Sequence, residues 1–203
     1  MFEICPETPA DETEVEALYD LCFAPGRTAL SSYRLRDGVP RVADLCLVLR
    51  DQTGTLMAAI RFWPVRVDGL PVLLLGPIAV HPTAQGEGLG GLLMHDSLSR
   101  ARRMGCERVL LVGDAPYYSR FGFQRLDEVE MPPPTNPDRV LGLELKPGAW
   151  VGLTGLVQRE SQVPPETTDP TGCIAVEHPK EVAHAPDTAP RPHSSADQRS
   201  CDP

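Results

Sequence analysis

The chain has 203 residues, 41% of them apolar, and 28 acidic against 19 basic side chains give a formal net charge of −9. That balance, with no run of five basic residues, argues against an electrostatic grip on nucleic-acid phosphates or on an anionic membrane surface. The longest apolar stretch, Val72 to Val80 with Gly76-Pro77 inside it, is far too short to cross a bilayer.

The first residues, MFEICPETPADETEVEAL, lack the cationic start and apolar core of a secretory signal, so a cytoplasmic location is expected. Asp11 or Thr13 can cap a helix reaching about Phe23, with Val15, Leu18, Tyr19 and Cys22 on one side. Asp44–Arg50 and Thr55–Val67 read as strands, and Asp51-Gln52-Thr53-Gly54 as the hairpin turn between them. Val72–Val80 is apolar on both faces, as in the middle of a sheet, yet Gly76-Pro77 interrupts it. Proline removes a ladder donor, so a bulge or a break in pairing belongs there.

After this strand comes a loop, His81 to Gly91, with glycines at 86, 88, 90 and 91, and then a helix to about Met104. On a wheel of about 100° per residue, Leu93, Met94, Ser97, Leu98, Ala101 and Met104 share one arc with Gly90 and Gly91. His95 and the Arg100, Arg102, Arg103 cluster fall on the solvated arc, the arginines favoured by the helix C-terminus. Gly105 ends the helix, and Arg108–Val112 forms the next strand, completing a β-α-β unit with a parallel pair. Phe123–Met131 and Arg139–Lys146 are weaker strand candidates around the turn-rich Pro132–Pro137.

Composition changes near residue 158. Residues 158–203 contain no aromatic residue and eight of the 22 prolines, too little apolar surface to offset chain entropy. Residues 1–157 are therefore expected to form one domain, and 158–203 a Pro-rich disordered tail. Its three histidines, His178, His184 and His193, read as solvated rather than metal-bound. The six cysteines are scattered without a C-x-x-C, which favours free thiols over disulfides or zinc.

Glycines at the start of a helix expose backbone N–H groups at the positive end of its dipole, which makes an anion cradle. No Lys-Ser/Thr pair follows them, which excludes a Walker-type phosphate loop. Gly86-x-Gly88-x-x-Gly91 spells a dinucleotide fingerprint, and Asp114 stands where a ribose-binding acid belongs. However, His81 to Gln85 separate the first glycine from its strand, the unit follows a helix and two strands, and further β-α units are missing. An NAD(P)-dependent oxidoreductase is thus the weaker reading.

Parsed as Gln85-x-x-Gly88-x-Gly90 after Ile78-Ala79-Val80-His81-Pro82, the segment resembles the acyl-CoA loop of the GNAT N-acetyltransferases. Tyr117-Tyr118-Ser119-Arg120-Phe121-Gly122-Phe123 is similar to that superfamily's Y-x-x-x-G-F segment, and the run from Gly113 is similar to a bacterial subgroup. The resemblance implies an α/β mixed sheet with a central bulged strand splayed from the next, parallel strand. It implies acetyl transfer from acetyl-CoA to a primary amine of a small molecule or peptide, directly within a ternary complex and without a metal.

By the same resemblance the pantetheine arm should pair with the backbone of Ile78, Ala79 and Val80, an N–H near Ala79 polarising the thioester carbonyl. The diphosphate should rest on N–H groups of Gly86, Glu87, Gly88, Leu89, Gly90 and Gly91, with Gln85 adding a side-chain donor. Glu87 would have to turn outward, since its carboxylate would repel a diphosphate. Tyr118 is assigned as general acid for the leaving thiolate, and Tyr117 as packing or pocket wall. The base stays open among Asp114, as base or positioning group, His81, a water relay or an amine already neutral. Side chains choosing the acceptor are expected from Pro25–Arg41 and Met131–Pro137. A non-catalytic acyl-CoA sensor with the same cradle is the alternative from another class.

Overall fold

The computed structural model describes residues 2–23 and 25–160. The expected tail lies outside the described residues from residue 161 onward, together with its histidines, Cys173 and Cys201. In chain order the strands are β1 (Glu3–Pro6), β2 (Leu47–Arg50), β3 (Leu56–Val67), β4 (Leu70–Val80), β5 (Arg108–Val112), β6 (Gln124–Arg125), β7 (Val129–Glu130), β8 (Val140–Glu144) and β9 (Gly155–Arg159). Four α-helices accompany them: α1 (Glu12–Phe23), α2 (Ser31–Arg34), α3 (Leu89–Arg103) and α4 (Ala115–Tyr118). The sheet order is β1-β2-β3-β4-β5-β8-β6, mostly antiparallel with β4 and β5 parallel, and β9 bridges β3 and β7. This is the mixed α/β sheet expected.

Local chemistry explains the joints. Asp51 holds the β2–β3 turn by accepting from the N–H groups of Thr53 and Thr55, both at 2.9 Å. The β3–β4 hairpin turns on Asp68-Gly69 with φ of 48° and 73°, a pair suited to a two-residue turn. Helix α3 stops in a Schellman arrangement: Cys106 N–H donates to Ala101 and Gly105 N–H to Arg102, with Gly105 at φ 78°.

Three differences from the sequence reading have physical reasons. The stretch Asp44–Leu45 is a single 3-10 turn before β2, since Cys46 N–H donates back to Ala43. The expected strand Phe123–Met131 is two short pieces, because β6 pairs with β8 while β7 pairs with β9. Strands β1 and β9 were not anticipated. Strand β9 runs through Arg159, two residues past the expected boundary, and Glu160 pairs with Arg66 at 2.7 Å.

The core alternates along the strands. Leu73 and Leu75 of β4 pack with Leu93, Met94 and Leu98 of α3, while Val72 and Leu74 join a second cluster with Val65, Leu110 and Val157. That alternation breaks at Gly76-Pro77. Phe62 faces Leu75 but Ile60 faces Ile78, so the single residue Arg61 stands opposite two residues of β4. The extra residue inverts the faces beyond it: Ile78 and Val80 now turn to α3, and Ala79 turns to α1. Gly76 has φ 124°, which a side chain would strain.

On the α1 face, the fully buried Tyr19 donates its hydroxyl to the Pro77 carbonyl at 3.3 Å. Arg61, 3% exposed, grips Glu7 through Nε and Nη2 at 2.8 and 2.6 Å, tying the end of β1 to β3. Glu7→Ala is expected to destabilise the protein by about 3 kcal/mol, because it removes one half of a buried pair. Thermal unfolding should show the midpoint falling by roughly 10 °C; a change of only a degree or two would show that Glu12 and Glu16 suffice for Arg61.

Candidate active site

Strands β4 and β5 are paired only at Leu73–Val109 and Leu74–Leu110. Beyond them β4 stays on β3 as far as Val80 and β5 stays on β8 as far as Val112, so the two separate. Parallel strands that part in mid-sheet leave N–H and C=O groups along both new edges without ladder partners. The opening expected from Gly76-Pro77 is present.

Next to it lies a cavity of about 410 Å³ lined by Val80, the glycine loop, Tyr117 and Arg120. Gly88, at φ 82°, is the N-cap of α3. Leu92 N–H closes the first helical turn on the Gly88 carbonyl at 3.1 Å, so Leu89, Gly90 and Gly91 precede any intrahelical acceptor. These N–H groups point out of the positive end of a 15-residue helix. Gly90 sits close under its neighbours: a Cβ there would stand 2.9 Å from the Tyr117 hydroxyl and 3.4 Å from Val80 Cγ2.

Two residues of the expected cradle do otherwise. Gln85 lines the cavity, yet its Nε2 donates to the Val80 carbonyl at 3.1 Å, stapling the loop to the end of β4. Glu87 is exposed and outside the cavity wall, and its N–H turns back toward the Ala84 carbonyl at 3.4 Å. The carboxylate thus stays away from an anion, and the cradle consists of Gly86, Gly88, Leu89, Gly90 and Gly91.

Arg120 is the site residue the sequence reading missed. Its guanidinium carbon lies 4.0 Å from the Tyr117 ring centroid and 4.8 Å from that of Phe121. It has no ion pair among the described residues, so a free cation faces the amides across the cavity. The signal available was its place inside the Tyr118–Phe123 motif, one residue from Phe121.

Tyr118 is half-buried over the C-terminal end of β5, and a Cβ on Gly113 would lie 2.2 Å from its Cε2. Its ring packs edge-on to Phe123 at 5.9 Å and to Tyr117 at 4.9 Å. The hydroxyl makes no hydrogen bond to any described residue. Burial is the main cause that pushes its pKa up to about 12, aided by Tyr117 and Asp114 and opposed by Arg139. The phenol therefore keeps its proton at neutral pH.

Asp114 acts through its backbone. Its carbonyl accepts from Tyr117 and Tyr118 N–H at 2.9 and 3.2 Å, starting α4, while its exposed carboxylate pairs with Arg139 at 3.2 Å. Its backbone thus starts α4, and its carboxylate is engaged by Arg139. His81 Nδ1 lies 2.8 Å from the Thr83 hydroxyl, capping the turn Pro82–Ala84.

Residues 13–123 match the model of the acetyltransferase (GNAT) family. The chain belongs to that family. It is accordingly an acyltransferase, and the opening between β4 and β5 is the family's characteristic splay. An Escherichia coli protein named N-acetyltransferase YhbS is 33% identical over 121 residues, 58% of this chain and 71% of its own. A crystal structure of YhbS in complex with CoA superposes with a TM-score of 0.68 at 30% identity, covering 78% of this chain and 89% of that one. A GNAT family acetyltransferase from Brucella melitensis in complex with acetyl-CoA gives 0.60 at 26%, covering 79% and 97%. No helix among the described residues is long and apolar enough to cross a membrane.

Gly113→Ala tests the placement of Tyr118, because the ring cannot stay where a methyl would stand 2.2 Å from it. The turnover rate is expected to fall by about 100-fold with the KM for acetyl-CoA nearly unchanged; steady-state kinetics showing an unaltered kcat would make Tyr118 a spectator.

Proposed function

We propose that this GNAT protein transfers the acetyl group of acetyl-CoA directly to a primary amine of a small molecule or peptide within a ternary complex. The observation that carries the reading is the set of N–H groups of Gly86, Gly88, Leu89, Gly90 and Gly91 at the start of α3, beside the edge of β4 that β5 leaves unpaired. The two structural relatives, one in complex with CoA and the other with acetyl-CoA, support the same ligand.

The diphosphate would rest on the N–H groups of Gly86, Gly88, Leu89, Gly90 and Gly91, with Arg120 as counter-charge. The pantetheine amides would pair with the backbone at Ile78, Ala79 and Val80 as an added strand does. The amine attacks in its neutral form, and the new C–N bond raises negative charge on the thioester oxygen. An N–H near Ala79 stabilises that oxyanion. As the C–S bond breaks, the electron pair goes to sulfur, Tyr118 gives its phenolic proton to the thiolate, the amine's proton leaves to water, and the phenolate regains a proton from water. A cytoplasmic setting fits the absence of any disulfide among the described residues, where Cys5, Cys22 and Cys46 are free thiols.

Tyr118→Phe should lower kcat by 10²- to 10³-fold, the usual range for one proton-transfer group, while CoA binding measured by calorimetry stays unchanged. The sign of the pH dependence follows from the raised pKa. The acid is active when protonated, and with a value of about 12 it stays so, so the rate should rise with pH as the amine loses its proton and show no alkaline fall below about pH 11. An alkaline limb near pH 9 that vanishes in Tyr118→Phe would contradict that assignment. Tight CoA binding without release of thiol from acetyl-CoA, for any of a broad set of amines, would instead mark a sensor.

Arg120→Ala should raise the KM for acetyl-CoA about 10-fold, equal to one charge-assisted contact, and flatten its dependence on salt. A KM unchanged from 50 to 300 mM salt in both proteins would remove Arg120 from the donor site.

A further inference from the structure

The two-residue bulge has a second cavity on its other side. Beyond the bulge Val80 turns to α3 and the glycine loop, whereas Pro77 turns to α1 and forms part of the wall of a space of about 590 Å³. The rest of that wall is α1, the segment from Arg27 to Arg41, and the β3 residues Arg61 and Trp63.

Three of its arginines are saturated with carboxylates. Arg27 pairs with Glu16 and Asp20, Arg41 with Glu7 and Glu12, and Arg61 with Glu7, Glu12 and Glu16. Arg36 is different: no carboxylate among the described residues pairs with it, and its Nε and Nη1 are buried without a hydrogen-bond partner. The Tyr33 hydroxyl beside it already accepts from Arg27 Nη1 at 2.7 Å. The guanidinium carbon lies 4.3 Å from the Tyr33 ring centroid and 4.7 Å from that of Trp63, and Nη2 is 3.7 Å from where a Cβ on Gly76 would be.

A buried charge without a counter-charge is costly, and stacking on rings fixes its plane while leaving its edge N–H groups to a ligand. Either two-nitrogen edge, Nε with Nη2 or Nη1 with Nη2, is the geometry that reads a carboxylate with two parallel bonds. Its place at Gly76, on the bulge, puts it where an acceptor would meet the acyl group.

We propose that Arg36 receives a carboxylate of the acceptor, so that the substrate is an amine that also carries a carboxylate, such as an amino acid or a short peptide with a free C-terminus. This rests on the amine-acetyltransferase reading above. The charges of the cavity agree with it: Arg27, Arg41 and Arg61 share four carboxylates, Glu7, Glu12, Glu16 and Asp20, leaving one negative charge in excess near Glu12 and Glu16. An excess negative charge and an unpaired cation match an ammonium and a carboxylate on one molecule. A doubly charged phosphate would lack a second free cation.

The test uses the full-length protein with acetyl-CoA and the common amino acids, each beside its primary carboxamide and its decarboxylated amine, with phosphoethanolamine as the phosphate probe. Thiol release is followed in parallel with calorimetry on CoA-saturated protein, which reads acceptor binding without turnover. For the best acceptor, kcat/KM is expected to be about 100-fold higher for the acid than for its amide. Arg36→Gln should collapse that ratio to near one without moving the KM for acetyl-CoA, and Arg36→Lys should restore part of it; melting curves confirm that both variants are folded. Equal use or equal binding of acid and amide overturns the proposal, as do preference for phosphoethanolamine, failure of every acid to bind, or a ratio that survives in Arg36→Gln. Loss of acetyl-CoA binding by the unaltered protein would instead overturn the reading beneath it.

Discussion

One residue of β3 set against two of β4 is the constraint on which the active site depends. Because Arg61 alone faces Gly76 and Pro77, the faces of β4 exchange at that point, and its pairing with β5 ends at Leu74. A regular strand would have continued the parallel ladder and turned Pro77 to α3 and Val80 to α1, the reverse of what is seen. The insertion thus makes an edge in the middle of a sheet, where N–H and C=O groups are sheltered from other chains yet open to a ligand. Arg61 faces the α1 side by the unbroken alternation of β3 and joins the ion network there, and Tyr19 secures the displaced Pro77 carbonyl from the same side.

The two faces present charge by different physics. On the α3 face the receptor for negative charge is main chain, and the glycines remove the side chains that would stand between amide and ligand. Such a cradle would hold an anion with little side-chain entropy to lose. On the α1 face the receptor is side chain, built from a dense set of ion pairs around buried Arg61 and Glu7. Buried ion pairs of this kind add little stability over an apolar replacement. Their presence is better explained by the cavity they line, whose charges are fixed in position before a ligand arrives.

Much of this was legible in the sequence because the signals were local. The Gly76-Pro77 interruption in an otherwise apolar strand marked the opening, the α3 wheel gave the buried arc from Leu93 to Ala101, and Gly105 marked its end. What escaped was non-local. The strand EICP at β1 and the strand at Gly155–Arg159 carry no alternation of their own, and each exists because a partner, β2 or β3, offers an edge. Gln85 looked like a phosphate donor because its motif says so, while the nearby Val80 carbonyl claims its amide. Arg36 stood in a stretch without periodicity, and only its lack of a carboxylate, invisible until all others were assigned, sets it apart from Arg27, Arg41 and Arg61.

The adjacent tyrosines show how the donor site and the acid are joined. Neighbouring residues on a helical turn point about 100° apart, so Tyr117 and Tyr118 cannot enter the same space. The sequence leaves open which goes where, and two glycines decide it. Gly90 leaves room for the Tyr117 hydroxyl at the cradle, and Gly113 leaves room for the Tyr118 ring over β5. Both rings hang on the short helix that the Asp114 carbonyl begins, and Arg120 lies over Tyr117 one turn later. In the proposed reading, a diphosphate pressing on Tyr117 or Arg120 would act on the same turn that carries Tyr118, so that seating the donor and orienting the proposed acid would be a single packing event.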